Sequence, residues 1–207
     1  MPIFYQQDID GNTKLGIWKI EEEESFFLSS VPLQREISHP HKRLQHLAGR
    51  YLLQYLFPGF PLNLVKVAST LKPFLEDEAF HFSISHCGDY AAVIVSKNAR
   101  VGVDIEIPDN KVARIRHKFL NENENIFLSG FSSELKHLTL LWSCKEAVFK
   151  WWSFGKVDFR NNIHLFPLTL NDKGSIQTVF NVEEKRKLDI QYQVFDEICL
   201  AYICTPA

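Results

Sequence analysis

Residues 101–107, Val-Gly-Val-Asp-Ile-Glu-Ile, narrow the possibilities for this chain more than any other stretch. In an extended strand successive side chains alternate faces, so Val101, Val103, Ile105 and Ile107 share one face while Asp104 and Glu106 share the other. The apolar face demands a core. The acidic face is a different problem, because neighbouring carboxylates repel unless a cation sits between them, and for hard oxygen donors that cation is usually a divalent metal. A third acid, Glu146, falls on a segment with helical periodicity and completes an oxygen-rich set.

Composition limits the context in which such a site can work. With 207 residues, 45% of them apolar and 17 of them Phe, the chain has the material for a real core and is not generally disordered. A net charge of -2 gives no bulk attraction to nucleic acid or to a membrane, so any anion site must come from local clustering. Cys87, Cys144, Cys199 and Cys204 show no CxxC spacing, which predicts reduced thiols and no structural zinc. The first residues lack a basic stretch followed by an apolar one, and no apolar run reaches spanning length. A soluble, unprocessed cytoplasmic protein is therefore expected.

Taken in order, residues 1–20 form two short apolar stretches around Asp10-Gly11-Asn12, the pattern of a hairpin. The run Glu21, Glu22, Glu23, Glu24 reads as an acidic first helical turn or a solvated loop. Ser38-His39-Pro40 offers a helix cap followed by an early proline, after which Leu44, Leu47, Ala48, Tyr51, Leu52, Tyr55 and Leu56 repeat at helical spacing until Pro58-Gly59. On the other side of that helix Arg43, His46 and Arg50 read, by spacing alone, as a solvated basic face. A short strand is predicted over 64–67, and Pro73 favours an extended Lys72. Residues 80–86 alternate, with Phe80, Phe82 and Ile84 inward and His81, Ser83 and Ser85 outward. Cys87-Gly88-Asp89 turns the chain into a strand over 90–95, and with 101–107 these suggest a three-stranded antiparallel meander.

In the second half Lys111, Arg114, Arg116, His117 and Lys118 form a compact basic segment. The best helix covers 139–152. Leu140, Leu141, Cys144, Ala147, Val148 and Trp151 fall on one side of it, and Thr139, Ser143, Glu146 and Lys150 on another. By spacing alone Glu146 and Lys150 are an ordinary surface ion pair, and His86 is a structural histidine. Strands are predicted over 163–166, 176–180, 190–195 and 198–203. A helix followed by antiparallel strands thus occurs twice, which predicts an α+β protein of two similar halves, 1–99 and 100–207, each an antiparallel sheet packed on a long helix.

Five fragments in this order carry a resemblance: Lys72-Pro73; Ser83-Ile84-Ser85-His86-Cys87-Gly88-Asp89; Val103-Asp104-Ile105-Glu106; Phe119-Leu120 with Glu124; and Trp142-Ser143-Cys144-Lys145-Glu146-Ala147 with Lys150. Together they resemble the 4′-phosphopantetheinyl transferase superfamily, and the length resembles its double-length, Sfp-like type. Two departures are visible. Leu71 stands where the family often has Gly, and only Gly155 remains of a Gly-x-Gly after the second long helix.

The resemblance implies a pseudo-two-fold pair of halves and an enzyme that moves the phosphopantetheine arm of coenzyme A to a serine of an acyl or peptidyl carrier protein, releasing adenosine 3′,5′-bisphosphate. It implies Mg²⁺, with Mn²⁺ as the other candidate, held by Asp104, Glu106 and Glu146. Glu146 is then the candidate base, acting directly or through a metal-bound water, and Lys150 the group that neutralises or protonates the leaving phosphate. Coenzyme A is implied to be bound by Lys72 and Pro73 at the adenine, Ser85 and His86 at the nucleotide end, and Arg35 or Arg43 at the 3′-phosphate. Carrier docking is implied for Lys111, Arg114, Arg116 and Lys118, and a monomer with no nucleic-acid or membrane partner is expected. Two other readings remain: a different Mg²⁺-dependent nucleotide pyrophosphate enzyme, or a silent homologue that only binds carriers.

Overall fold

Alternating apolar residues gather four strands of the N-terminal half into one antiparallel sheet. The structure is a computed structural model that describes residues 3–33, 36–128, 134–167 and 171–207, the side chain of Phe127 aside. Its chain divides into two compact units, Met1–Val101 with Thr205–Ala207, and Gly102–Cys204.

The first unit opens with a hairpin of β1 (Ile3–Asp8) and β2 (Thr13–Lys19), followed by the short helix α1 (Glu24–Leu28) and the long helix α2 (Pro40–Leu56). A two-stranded ribbon of β3 (Lys66–Val67) and β4 (Pro73–Phe74) precedes the hairpin of β5 (His81–Cys87) and β6 (Tyr90–Ser96). The sheet runs β1-β2-β6-β5. Helix α2 lies on β2, β5 and β6 through Leu47, Ala48, Leu52, Leu53 and Leu56, all of them buried. Within the predicted cap its N-cap residue is His39, whose ring accepts from the Lys42 N–H at 3.5 Å. Pro40 takes the first helical position, so the residue immediately before it becomes the cap.

Two expectations for this unit are corrected. The predicted strand over 64–67 shrinks to Lys66–Val67, because Leu62–Leu64 is a turn of 3₁₀ helix. Ser83 and Ser85 are not exposed on an outer face; only 3% and 5% of each remains accessible. Leu71 has φ of 66°, the left-handed backbone that glycine adopts freely and a branched side chain does not. The turn that a glycine would favour is therefore present, closed by Leu71 N–H to Ala68 O and Ala68 N–H to Lys72 O, each at 2.9 Å.

The second unit is built on β7 (Ala99–Glu106), α3 (Asn110–Phe119), α4 (Glu122–Leu128), the long α5 (Glu134–Trp152) and α6 (Phe159–Asn162). The strands β8 (Ile163–Leu165), β9 (Lys173–Asn181), β10 (Lys185–Val194) and β11 (Cys199–Pro206) follow. Their sheet runs β7-β11-β10-β9-β8. The predicted meander therefore fails at its third strand. Both edges of β6 are already paired, with β2 from Thr13↔Ser96 to Lys19↔Tyr90 and with β5 from His81↔Ser96 to Cys87↔Tyr90, so β7 joins β11 instead.

Helix α5 contacts β8 and β10, and its Leu140, Leu141, Cys144, Ala147 and Val148 are completely buried. Strand β7 also comes very close to α5. A Cβ at Gly102 would collide with the Ala147 carbonyl oxygen and lie 2.7 Å from the Trp151 backbone nitrogen, so only glycine fits there. That close approach sets Asp104 and Glu106 against α5. The protein is α+β, with antiparallel sheets of four and five strands carrying α2 and α5. All four cysteines are free thiols, and among the described residues no helix is long and apolar enough to cross a membrane.

Candidate active site

Asp104 sits on β7 with 3% of its surface accessible, and two side chains of α5 hold it. The Lys150 ammonium donates to Oδ1 at 2.7 Å and the Ser143 hydroxyl donates to Oδ2 at 2.8 Å. One residue past Ile105, Glu106 points to the same side of the strand, and its Oε1 accepts from the Trp142 indole N–H at 3.2 Å. Glu146 lies on α5 one turn before Lys150. Ser143, Glu146 and Lys150 thus share the face that the sequence assigns them, and that face meets β7.

The electrostatics follow from crowding. Burial first, and the charge of Asp104 second, push the Glu106 carboxyl up to about 7, against the opposing pull of the Trp142 N–H and Lys150. Burial and Asp104 likewise raise Glu146 to about 7, with Lys150 opposing and Glu106 adding to the rise. Three acids face one ammonium. Burial and mutual repulsion thus hold the two glutamates well above the usual carboxylate range.

Sequence reasoning missed the hub beneath this face. Lys145 is completely buried, and its ammonium donates to Glu124 Oε2 at 2.8 Å and to the carbonyls of Phe119, Phe159 and Ile163 at 2.6, 2.9 and 2.8 Å. Glu124 in turn accepts the Asn121 N–H at 2.9 Å and the Leu165 N–H at 2.8 Å. Burial lowers the Lys145 pKa while the Glu124 carboxylate works against that. One ion pair thus ties the end of α3, the start of α4, α6 and β8 to the helix that carries Glu146. The available signal was a Lys inside an otherwise apolar helical face.

The residues implied for coenzyme A belong to the first unit. Lys72 is half-buried beside Pro73, and burial, then Arg100, lowers its amine to about 8. Ser85 is buried on β5 and His86 is exposed near its end. Arg43 is engaged within its own unit, through Nε to Glu24 Oε1 at 2.8 Å and Nη1 to the Ile37 carbonyl at 2.9 Å. That pairing gives the acidic run a structural role at Glu24. Arg35 lies outside the described residues. Of the basic segment, Lys111, Arg114 and Lys118 are exposed on α3, whereas Arg116 is committed to Glu134 at 2.9 Å and to Asn125 at 2.8 Å.

Among the described residues no three His, Cys, Asp or Glu side chains are grouped to hold a metal ion as they stand. The donor chemistry of Asp104, Glu106 and Glu146 nevertheless fits a divalent cation. All three are hard carboxylates brought to one face of β7 and α5, where burial first and the charge of Asp104 second raise Glu106 and Glu146 to about 7.

A strand-borne pair of carboxylates facing a helix-borne Glu and Lys, in an α+β chain, defines a site suited to phosphate-ester chemistry. The chain belongs to the 4′-phosphopantetheinyl transferase superfamily, whose family model matches residues 100–204. It is similar to the 4′-phosphopantetheinyl transferase gsp of Aneurinibacillus migulanus, 29% identical over 161 residues that cover 77% of this chain and 64% of that one. It is also similar to enterobactin synthase component D of Escherichia coli O157:H7, 30% identical over 132 residues that cover 58% of this chain and 60% of that one. The chain thus spans less than two thirds of the length of these curated relatives.

Proposed function

We propose that this protein transfers the 4′-phosphopantetheine arm of coenzyme A to a serine of an acyl or peptidyl carrier protein, as a double-length, Sfp-like member acting as a cytoplasmic monomer. The observation behind this reading is the opposition of Asp104 and Glu106 on β7 to Lys150 on α5, inside the stretch matched by the family model. In the reaction the serine oxygen forms a bond to the phosphorus of the pantetheine phosphate, and the bond from that phosphorus to the bridging oxygen of adenosine 3′,5′-bisphosphate breaks.

Glu146, poised near neutrality, receives the serine proton. The Lys150 ammonium, 2.7 Å from Asp104, neutralises charge that builds on the departing phosphate. Asp104, Glu106 and Glu146 would hold Mg²⁺, or Mn²⁺, and a bound divalent ion supplies charge neutralisation at the pyrophosphate. In this reading Lys72 and Pro73 line the adenine, Ser85 and His86 contact the nucleotide end, and Arg43 or Arg35 meets the 3′-phosphate. The exposed Lys111, Arg114 and Lys118, with Arg116 fixed beside them, steer an acidic carrier surface. Two pseudo-symmetric halves, 1–99 for the nucleotide and 100–207 for catalysis and docking, complete the picture.

Release of adenosine 3′,5′-bisphosphate tests the reaction. Chromatography of a mixture of the protein, coenzyme A, Mg²⁺ and an apo carrier should show its release with the carrier. A carrier whose acceptor serine is changed to alanine should give none. Release that ignores the serine would point to a nucleotide pyrophosphatase, and no release with any of several carriers would point to a silent binder.

A further inference from the structure

Adjacent residues of α5 grip alternate residues of β7. The Trp142 indole N–H donates to Glu106 Oε1 at 3.2 Å, and the Ser143 hydroxyl, on a completely buried residue, donates to Asp104 Oδ2 at 2.8 Å. Each donor occupies one oxygen of a carboxylate, and the Lys150 ammonium takes the other oxygen of Asp104 at 2.7 Å. The Trp142 ring is fixed in turn by Phe119, the last residue of α3, with centroids 5.1 Å apart, and by Phe159, the first of α6, at 5.5 Å. Its N–H therefore points from a packed aromatic platform and not from a mobile side chain. Side chains two apart on a strand stand roughly 7 Å from each other, and the two hydrogen bonds fix which way each carboxylate turns across that gap.

We propose that Trp142 and Ser143 are positioning residues that, with Lys150 on Asp104 Oδ1, lock the rotamers of Glu106 and Asp104, so that the carboxylate lone pairs these hydrogen bonds leave open face one shared cation. The ligand itself rests on the reading above; the clamps rest on the two hydrogen bonds. Partners of this kind contribute through the groups they orient, and their removal costs about 10–100-fold in metal affinity.

The experiment uses the full chain and has two arms. In the first, the indole N–H resonance of Trp142 is identified by its loss in Trp142→Phe and compared between the wild type and Glu106→Ala without metal. It should move upfield when the acceptor is deleted. In the second, calorimetric titration with Mg²⁺ at saturating coenzyme A compares the wild type with Trp142→Phe, which keeps a ring in the stack, and with Ser143→Ala. Each variant should bind Mg²⁺ about tenfold more weakly, and excess Mg²⁺ should restore turnover.

An indole signal indifferent to Glu106→Ala overturns the proposal whatever the wild type does. Unchanged Mg²⁺ affinity in both variants also overturns it, as does a turnover loss that excess Mg²⁺ cannot restore. If the signal responds but the wild type neither binds Mg²⁺ nor modifies a carrier, the clamp on Glu106 stands and the functional reading fails.

Discussion

Lys145 Nζ and Glu124 Oε2 meet at 2.8 Å with side chains 0% and 1% exposed, one residue along α5 from Glu146. A buried charge pair of this kind adds little net stability over an apolar pair, but removing one member strands the other. Here it would also strand three backbone carbonyls. Lys145→Met should therefore lower stability by about 3–5 kcal/mol. Lys145→Met with Glu124→Leu should recover part of that loss, which chemical denaturation can measure.

Lys150 is in direct contact with Asp104 at 2.7 Å. Lys150→Met should lower kcat by about 100- to 1000-fold, the scale for losing one charge-stabilising donor, with a much smaller change in KM for coenzyme A. Single-turnover kinetics at saturating coenzyme A would check this. Lys150→Arg should retain part of the rate because it keeps the charge but not the reach.

The pH dependence of stability has an unusual sign. Glu106 and Glu146 have native pKa values near 7, above the 4.5 of a free glutamate, so the folded state binds protons more tightly than the unfolded state. Stability without metal should fall as pH rises from about 4.5 through 7 and level off above that, by at most about 3 kcal/mol per group. Mg²⁺ competes with those protons, so the rise in melting temperature on adding Mg²⁺ should be larger at pH 8 than at pH 6. Melting curves across that range decide the matter.

Leu71 is 78% exposed and held at φ of 66°. Leu71→Gly removes almost no buried surface and relieves a left-handed conformation that costs about 1–2 kcal/mol in an L-residue. Part of that gain is lost to the greater freedom of an unfolded glycine. A net change between zero and about 1 kcal/mol of stabilisation is expected, where the same substitution in a regular strand would destabilise.

Arg114 and Lys118 are exposed on α3, whereas Arg116 is tied to Glu134 and Asn125. Arg114→Glu with Lys118→Glu should raise KM for an acidic carrier by about tenfold, the effect shrinking in high salt, with kcat for coenzyme A turnover little changed. Arg116→Glu should also loosen the α3–α4 junction, and its loss of melting temperature would separate the two effects.

Much of the candidate site was legible because it depends on local periodicity. Alternation put Asp104 and Glu106 on one side of a strand, and helical spacing put Ser143, Glu146 and Lys150 together. What was not legible depends on pairing between distant segments. Nothing near 101–107 says that both edges of β6 are already filled, so β7 was assigned to the wrong sheet. Nothing in the 142–147 run says that Lys145 would be buried against Glu124 and three carbonyls, or that Trp142 would donate to Glu106.

The central claim is that this site moves phosphopantetheine to a carrier serine with Asp104 and Glu146 at its heart. The intact mass of an apo carrier, measured after incubation with coenzyme A and Mg²⁺, tests it most directly. The carrier should gain one phosphopantetheine with the wild type and essentially none in the same time with Asp104→Ala or Glu146→Gln. No gain with the wild type across several carriers would contradict the function, and an undiminished gain with either variant would contradict the site.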